Sequence, residues 1–115
     1  MSRAIRLATE PLRSLAFGSI GAAYMGIGTA IDHKARIVRI TNLTNTQLMI
    51  SFNGVKDHFP LAVYGFLQLD VYQNSEDAGF FSLSIGDRLY VKELDAVNPA
   101  TSGSVYVTVF YGKDD

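Results

Sequence analysis

No cysteine and no tryptophan occur in the 115 residues, and only two histidines and three prolines. The missing cysteines exclude disulfide staples, thiolate metal sites and a cysteine nucleophile, and they leave the compartment open. The two imidazoles, His33 and His58, each follow an aspartate (Asp32, Asp57). Neighbours on a strand point to opposite faces, so neither Asp-His pair chelates easily from a strand, and no metal or cofactor is expected. Ser102, His58 and Asp57 make a catalytic triad only on paper, because no nucleophile elbow surrounds the serine. The glycine-rich run GSIGAAYMGIG has neither the dinucleotide-binding spacing nor a phosphate-binding lysine. Catalysis of any kind is therefore not expected. Helical periodicity, internal repeats and low-complexity tracts are also missing.

What is present is strand-forming. Hydrophobic residues make up 48% of the chain, with seven Phe and six Tyr, while charged residues make up 18%. That balance excludes intrinsic disorder, and the length suits one domain with a real core. The net charge of -1 hides an asymmetry. Residues 1–39 sum to 6 - 2 = +4 and residues 40–115 to 4 - 9 = -5, which suits attraction between copies of the chain or to an acidic partner. Three arginines in the leader are too sparse for a nucleic-acid footprint, so no nucleic acid is expected.

In order, residues 1–13 read as an extended arm and residues 14–115 as the folded domain. Pro11 interrupts any helix, and Ile5, Leu7 and Leu12 are too few to bury the arm by themselves. It is thus expected to dock on a neighbour through these apolar residues and Arg3, Arg6 and Arg13, and to be dispensable to the fold. Ser14 to Ile31 is an uncharged run of eighteen residues, the threshold for a membrane span, but four glycines dilute it. A strand, a bend and a second strand are expected there, anchored by Leu15, Phe17, Tyr24 and Ile27.

From Ala35 the alternation is regular. Ala35 to Leu43 places Val38 and Ile40 on one face; Leu67, Leu69 and Val71 do the same in Gly65 to Tyr72, as do Leu89 and Val91 in Arg88 to Glu93. Between them, Asn53-Gly54 predicts a hairpin closed by a type I′ turn, with Pro60 confining the returning strand to a short piece or an edge. Asn74 to Gly79 reads as a loop, Phe80 to Leu83 as a short strand, and Asp95 to Gly103 as a mobile surface loop. In Ser104 to Tyr111, Val105, Val107, Val109 and Tyr111 share one face, Tyr106, Thr108 and Phe110 the other. A strand apolar on both sides needs cover on both, from its own chain or from another subunit. Seven or eight short strands with turns between them predict a single antiparallel β-sandwich, jelly-roll-like. Tyr64, Tyr72 and Tyr106 would also suit a sugar-binding face.

The succession ARIVRITNLT, ISFNGVKDH, FLQLDVYQN, RLYVKE and TSGSVYVTVFYG, over about residues 35–112, resembles small virion proteins of short-tailed bacteriophages. Asn53 stands where those proteins carry an aspartate in the hairpin, a change the same turn accepts. The resemblance implies a non-enzymatic structural protein of the virion, either a head decoration or cement protein or a collar or head-to-tail component. It would contact copies of itself and other virion proteins (capsid, portal or tail), with no membrane involved. A carbohydrate- or receptor-binding module of a phage tail is the alternative.

Overall fold

The computed structural model describes residues 5–70, 85–94 and 99–114, with the backbone alone for residues 5, 6, 113 and 114. It is all-β, two antiparallel sheets packed face to face. One sheet holds β1 (Ile5–Thr9), β2 (Arg13–Ala16), β4 (Ala35–Asn42), β7 (Phe66–Asp70) and β9 (Ser104–Asp114). Its order is β1-β9-β4-β7, with β2 following β1 along the same side of β9. The other sheet runs β3 (Met25–Gly26), β8 (Tyr90–Glu93), β5 (Leu48–Ser51), β6 (Phe59–Leu61). Expected elements at Asn74 to Gly79 and Phe80 to Leu83, with Val71, Tyr72 and residues 95–98, lie outside the described residues.

The alternating strands deliver the core. Val38 and Ile40 from β4 and Val105, Val107 and Val109 from β9 meet Leu48, Ile50 and Val91 from the facing sheet, all fully buried or nearly so. Branched aliphatic side chains suit this half-buried pleated surface. The uncharged run folds as β2, a 3-10 turn (Phe17–Ser19) and β3. Its anchors are Ile20, Ile27 and Ile31, whereas Phe17 is exposed. Of the four expected anchors, Ile27 is buried, Leu15 packs against the core, and Tyr24 is half-buried.

The hairpin is present, but its turn differs from the expected one. β5 and β6 pair with Leu48 opposite Leu61 and Ile50 opposite Phe59, leaving seven connecting residues. Gly54 has φ +76, but Asn53 does not have the positive φ that a type I′ turn needs. Asn53 instead uses its side chain: Oδ1 accepts from the Val55 and Lys56 amides at 2.8 and 3.0 Å. The asparagine caps a wider loop because it competes with the backbone for those donors. Pro60 sits in the three-residue edge strand β6, where its missing donor costs no ladder bond.

A buried polar plug closes one end of the sandwich. The Asn42 amide donates to the Thr46, Leu61 and Ala62 carbonyls, and its Oδ1 accepts from the Thr44 amide and hydroxyl. Asn42 and Thr44 are wholly buried, and these bonds satisfy them. Nearby, Asn45 and Thr101 exchange two hydrogen bonds and tie the residues just ahead of β9 to this turn.

Candidate interaction surfaces

The segment read as a docking arm is, from Ile5 onward, part of the chain's own sheet. Ile5 lies opposite Asp114 and Thr9 opposite Phe110, and after a three-residue break Arg13 to Ala16 continue along β9. The eleven residues of β9 are long enough to take both pieces in turn. Pro11 falls in the break, where no ladder donor is needed.

The break turns Glu10 inward, and Glu10 and Arg13 are both buried. Arg13 Nη2 lies 2.6 Å from Glu10 Oε1 and 2.9 Å from the Ala30 carbonyl, and Nε donates to the Thr29 carbonyl at 2.8 Å. Glu10 Oε2 accepts from the Asp32 amide and lies 2.8 Å from His33 Nδ1. Burial alone would raise the Glu10 carboxyl, but bonds from His33, Arg13 and the Asp32 amide outweigh it and hold the pKa below the usual value. His33 is clamped flat on Tyr111, ring centroids 3.7 Å apart. Arg13 is therefore committed within its own chain, not offered to a partner as expected. The sequence signal for this pair was faint: one acid three residues before an arginine, in an otherwise basic leader.

Glu10 makes stability depend on pH with a definite sign. Its folded pKa is depressed, so its contribution is present above the ordinary 4.5 and is lost as pH falls through the lowered value. Wild type is expected to lose melting temperature on acidification below about pH 4.5 more steeply than Glu10→Gln, monitored by circular dichroism. Parallel curves would remove Glu10 as the cause.

On the smaller sheet, the Tyr24 hydroxyl donates to Asp57 Oδ1, with Lys92 Nζ 3.1 Å from the same oxygen and 4.7 Å above the Tyr24 ring. Burial, then the bond to Asp57, pushes the phenol pKa up; the bonds from Tyr24 and Lys92 pull the Asp57 carboxyl down. His58 Nδ1 accepts from the Phe52 amide. These bonds pin the tip of the hairpin to its sheet. Among the described residues, no group of three His, Asp or Glu is placed to hold a metal ion.

Tyr106, Thr108 and Phe110 lie where their alternation places them, on the outer face of the larger sheet, half-buried by their neighbours. Cross-strand register sets them in rows. Ser14, Tyr106, Thr41 and Phe66 form one row, and Thr108, Arg39 and Gln68 a second. The third joins Thr9, Phe110, Ile37 and Asp70. The Arg39 guanidinium stands 4.1 Å over the Phe66 ring, which is 58% exposed. Leu7, opposite Gly112, extends the apolar surface at the far end. The described side chains of this face include no lysine and no glutamate. Of the other expected contacts, Leu12 is exposed beside the break in the edge strand, Arg3 lies outside the described residues, and for Ile5 and Arg6 only the backbone is described.

Two features were not legible in the sequence. Ala62 to Gly65 is a turn closed by the Gly65 amide on the Ala62 carbonyl at 2.9 Å, and Tyr64 takes its third position with φ +58. Glycine or asparagine normally fills that position. The Tyr64 side chain is 68% exposed. At the opposite edge of the sheet a pocket of about 210 Å³ opens between Pro11 to Ser14 and Gly28, Thr29 and Asp32. No protein-family model, curated protein or solved structure matches the chain, so its surfaces stand without a relative to interpret them.

Proposed function

We propose that the chain is a non-enzymatic structural subunit of a bacteriophage particle, seated on a neighbouring virion protein through the outer face of its larger sheet. The composition of that face carries the reading. Aromatic residues and arginine are enriched in protein interfaces and lysine, glutamate, aspartate and serine depleted; the rows hold Tyr106, Phe66, Phe110 and Arg39 toward their middle and, of the depleted types, only Ser14 and Asp70 at row ends. Two further observations support it, each by analogy. Counting β1 and β2 as one interrupted strand leaves eight strands in two sheets, the strand count of a jelly roll, a fold used by viral capsid and lectin domains. The strand motifs of residues 35–112 resemble small virion proteins of short-tailed phages.

Thr108→Glu places a charge in the middle row without touching the core. It is expected to leave the circular dichroism spectrum intact and to lower occupancy in imaged particles about tenfold or more, since the new carboxylate takes up Arg39 directly opposite and both charges must then be desolvated in the interface. Unchanged occupancy, or absence of the wild-type protein from the particle, overturns the reading. A second reading, a carbohydrate- or receptor-binding module of a phage tail, draws on Tyr106 and Phe66 flanking Thr41 in one row. Glycan-array binding that is lost in Tyr106→Ala would favour it.

A further inference from the structure

We infer that Asn53 is a self-modifying residue: its side-chain amide is lost as ammonia through a cyclic imide closed by the Gly54 amide nitrogen, with the Ser51 hydroxyl relaying the proton. The reaction happens once per copy and consumes only water, so it stands apart from the structural-subunit reading.

Three donors converge on the Asn53 carboxamide. Its Oδ1 accepts from the Val55 amide at 2.8 Å, from the Lys56 amide at 3.0 Å and from the Ser51 hydroxyl at 3.0 Å. The bond from Val55 closes an Asx turn, which folds the side chain back over the peptide that follows and brings Cγ toward the Gly54 nitrogen. The Gly54 amide donates to Ser51 Oγ at 2.9 Å, and the Asn53 amide donates to the same oxygen at 3.3 Å. With two donors on its lone pairs, the wholly buried Ser51 hydroxyl has one direction left for its own proton, toward Asn53 Oδ1. It therefore bridges the attacking nitrogen and the oxygen that receives charge.

The steps balance. The Gly54 nitrogen bonds to Cγ and passes its proton to Ser51 Oγ, whose own proton moves to Asn53 Oδ1; the tetrahedral carbon so formed carries a hydroxyl and the amino group. The Val55 and Lys56 amides are already aimed at the oxygen where charge develops. The bond from Cγ to Nδ2 then breaks, the hydroxyl proton leaves with that nitrogen as ammonia, and the imide is complete. Asn53 is exposed, so water reaches the imide and opens one of its two C–N bonds. Opening at Cγ leaves aspartate, whose carboxylate keeps the same donors in charge-assisted form. Opening at the main-chain carbonyl leaves isoaspartate. Either product carries a negative charge that asparagine lacked.

Sequence and packing single out this position. Of the five asparagines, Asn53 alone precedes a glycine, which has no side chain to hinder the closing ring. Gly54 is required there for a separate reason, since its φ is +76 and a Cβ would lie 3.3 Å from the Tyr90 ring. The loop is also held still, by the Phe52 amide on His58 and by Asp57 on Tyr24 and Lys92. Ring closure gains most from a geometry fixed in advance.

Mass spectrometry with peptide mapping tests the inference. Wild type is incubated folded and, at the same pH and temperature, unfolded in guanidinium, and the single mass unit that separates acid from amide is followed at Asn53. The folded chain is expected to react about tenfold or more faster, within reach of a positioned proton relay. An equal or slower folded rate overturns the inference. The pH profile gives a reading that a merely structural serine would not move. In the unfolded chain the attacking nitrogen has to lose its proton to hydroxide, so the rate climbs with pH; the folded rate is expected to change far less between about pH 6 and pH 8. Parallel profiles overturn the relay. Both comparisons use wild type alone, so they decide the matter even where a serine variant does not fold. Ser51→Ala, where folded by circular dichroism, is expected to lose most of the acceleration, and a wild-type rate in it also overturns the relay.

Discussion

Gly103→Ala is expected to destabilise the fold by about 3 kcal/mol or more. Gly103 lies at the entrance to β9 with φ +87, a conformation that L side chains rarely adopt. Strain is the smaller part. A Cβ there would lie 1.9 Å from the Leu43 carbonyl oxygen and 2.9 Å from Thr44 Cα, both backbone atoms that no side-chain rotation clears. Relief requires the Asn42 to Thr46 turn to move away from β9. That movement breaks the Leu43 amide bond to the Ser104 carbonyl at 2.9 Å and pulls on the Phe17 amide bond to Gly103. The buried Asn42–Thr44 hydrogen bonds are strained by the same shift. Urea unfolding measures the cost, and a loss below about 1 kcal/mol would mean that the turn has room to give.

The second large effect belongs to the buried ion pair. Arg13→Ala is expected to cost about 3–5 kcal/mol, because the Glu10 carboxylate stays buried after its cation is gone. The Thr29 and Ala30 carbonyls lose their donor in the same substitution. Replacing both partners, Glu10→Leu with Arg13→Met, is expected to cost much less than the sum of the single changes, since no charge is then stranded. A double-mutant cycle in urea measures this. Additive single costs would show that the pair is not coupled. The same reasoning reverses the expectation that residues 2–12 are dispensable to the fold. Deleting them removes β1 and Glu10 together and leaves the Arg13 guanidinium buried without its carboxylate. The truncated chain should unfold at a lower urea concentration than wild type, whatever its effect on assembly.

These two sites differ in how far the sequence announced them. A glycine ahead of a β-branched strand marks a turn in any sequence, and Gly103 was expected in one. Nothing local says that its α-carbon faces the Leu43 carbonyl, sixty residues earlier. Glu10 and Arg13 are near neighbours, yet their burial depends on Thr29, Ala30 and Asp32 folding over them. The interaction surfaces divide in the same manner. Alternation placed Tyr106, Thr108 and Phe110 opposite the valines of β9, while the exposure of Phe66 and Tyr64 and the pocket at the far edge depend on which strands end the sheet.

By itself, then, the sequence determined the all-β character, the inward faces of β4, β7, β8 and β9, the hairpin between β5 and β6, and the edge position of Pro60. Each follows from a rule of local reach: a side-chain period of two, a turn residue, a missing donor. Only the tertiary structure decided that the leader joins β9 as two successive strands and that an acid, an arginine and a histidine meet inside the break. The positive φ of Tyr64 was settled there too. These are matters of pairing between segments far apart in the chain. Which edge a strand joins depends on every other strand competing for it, and a period of two fixes the face a residue points to without naming its neighbour.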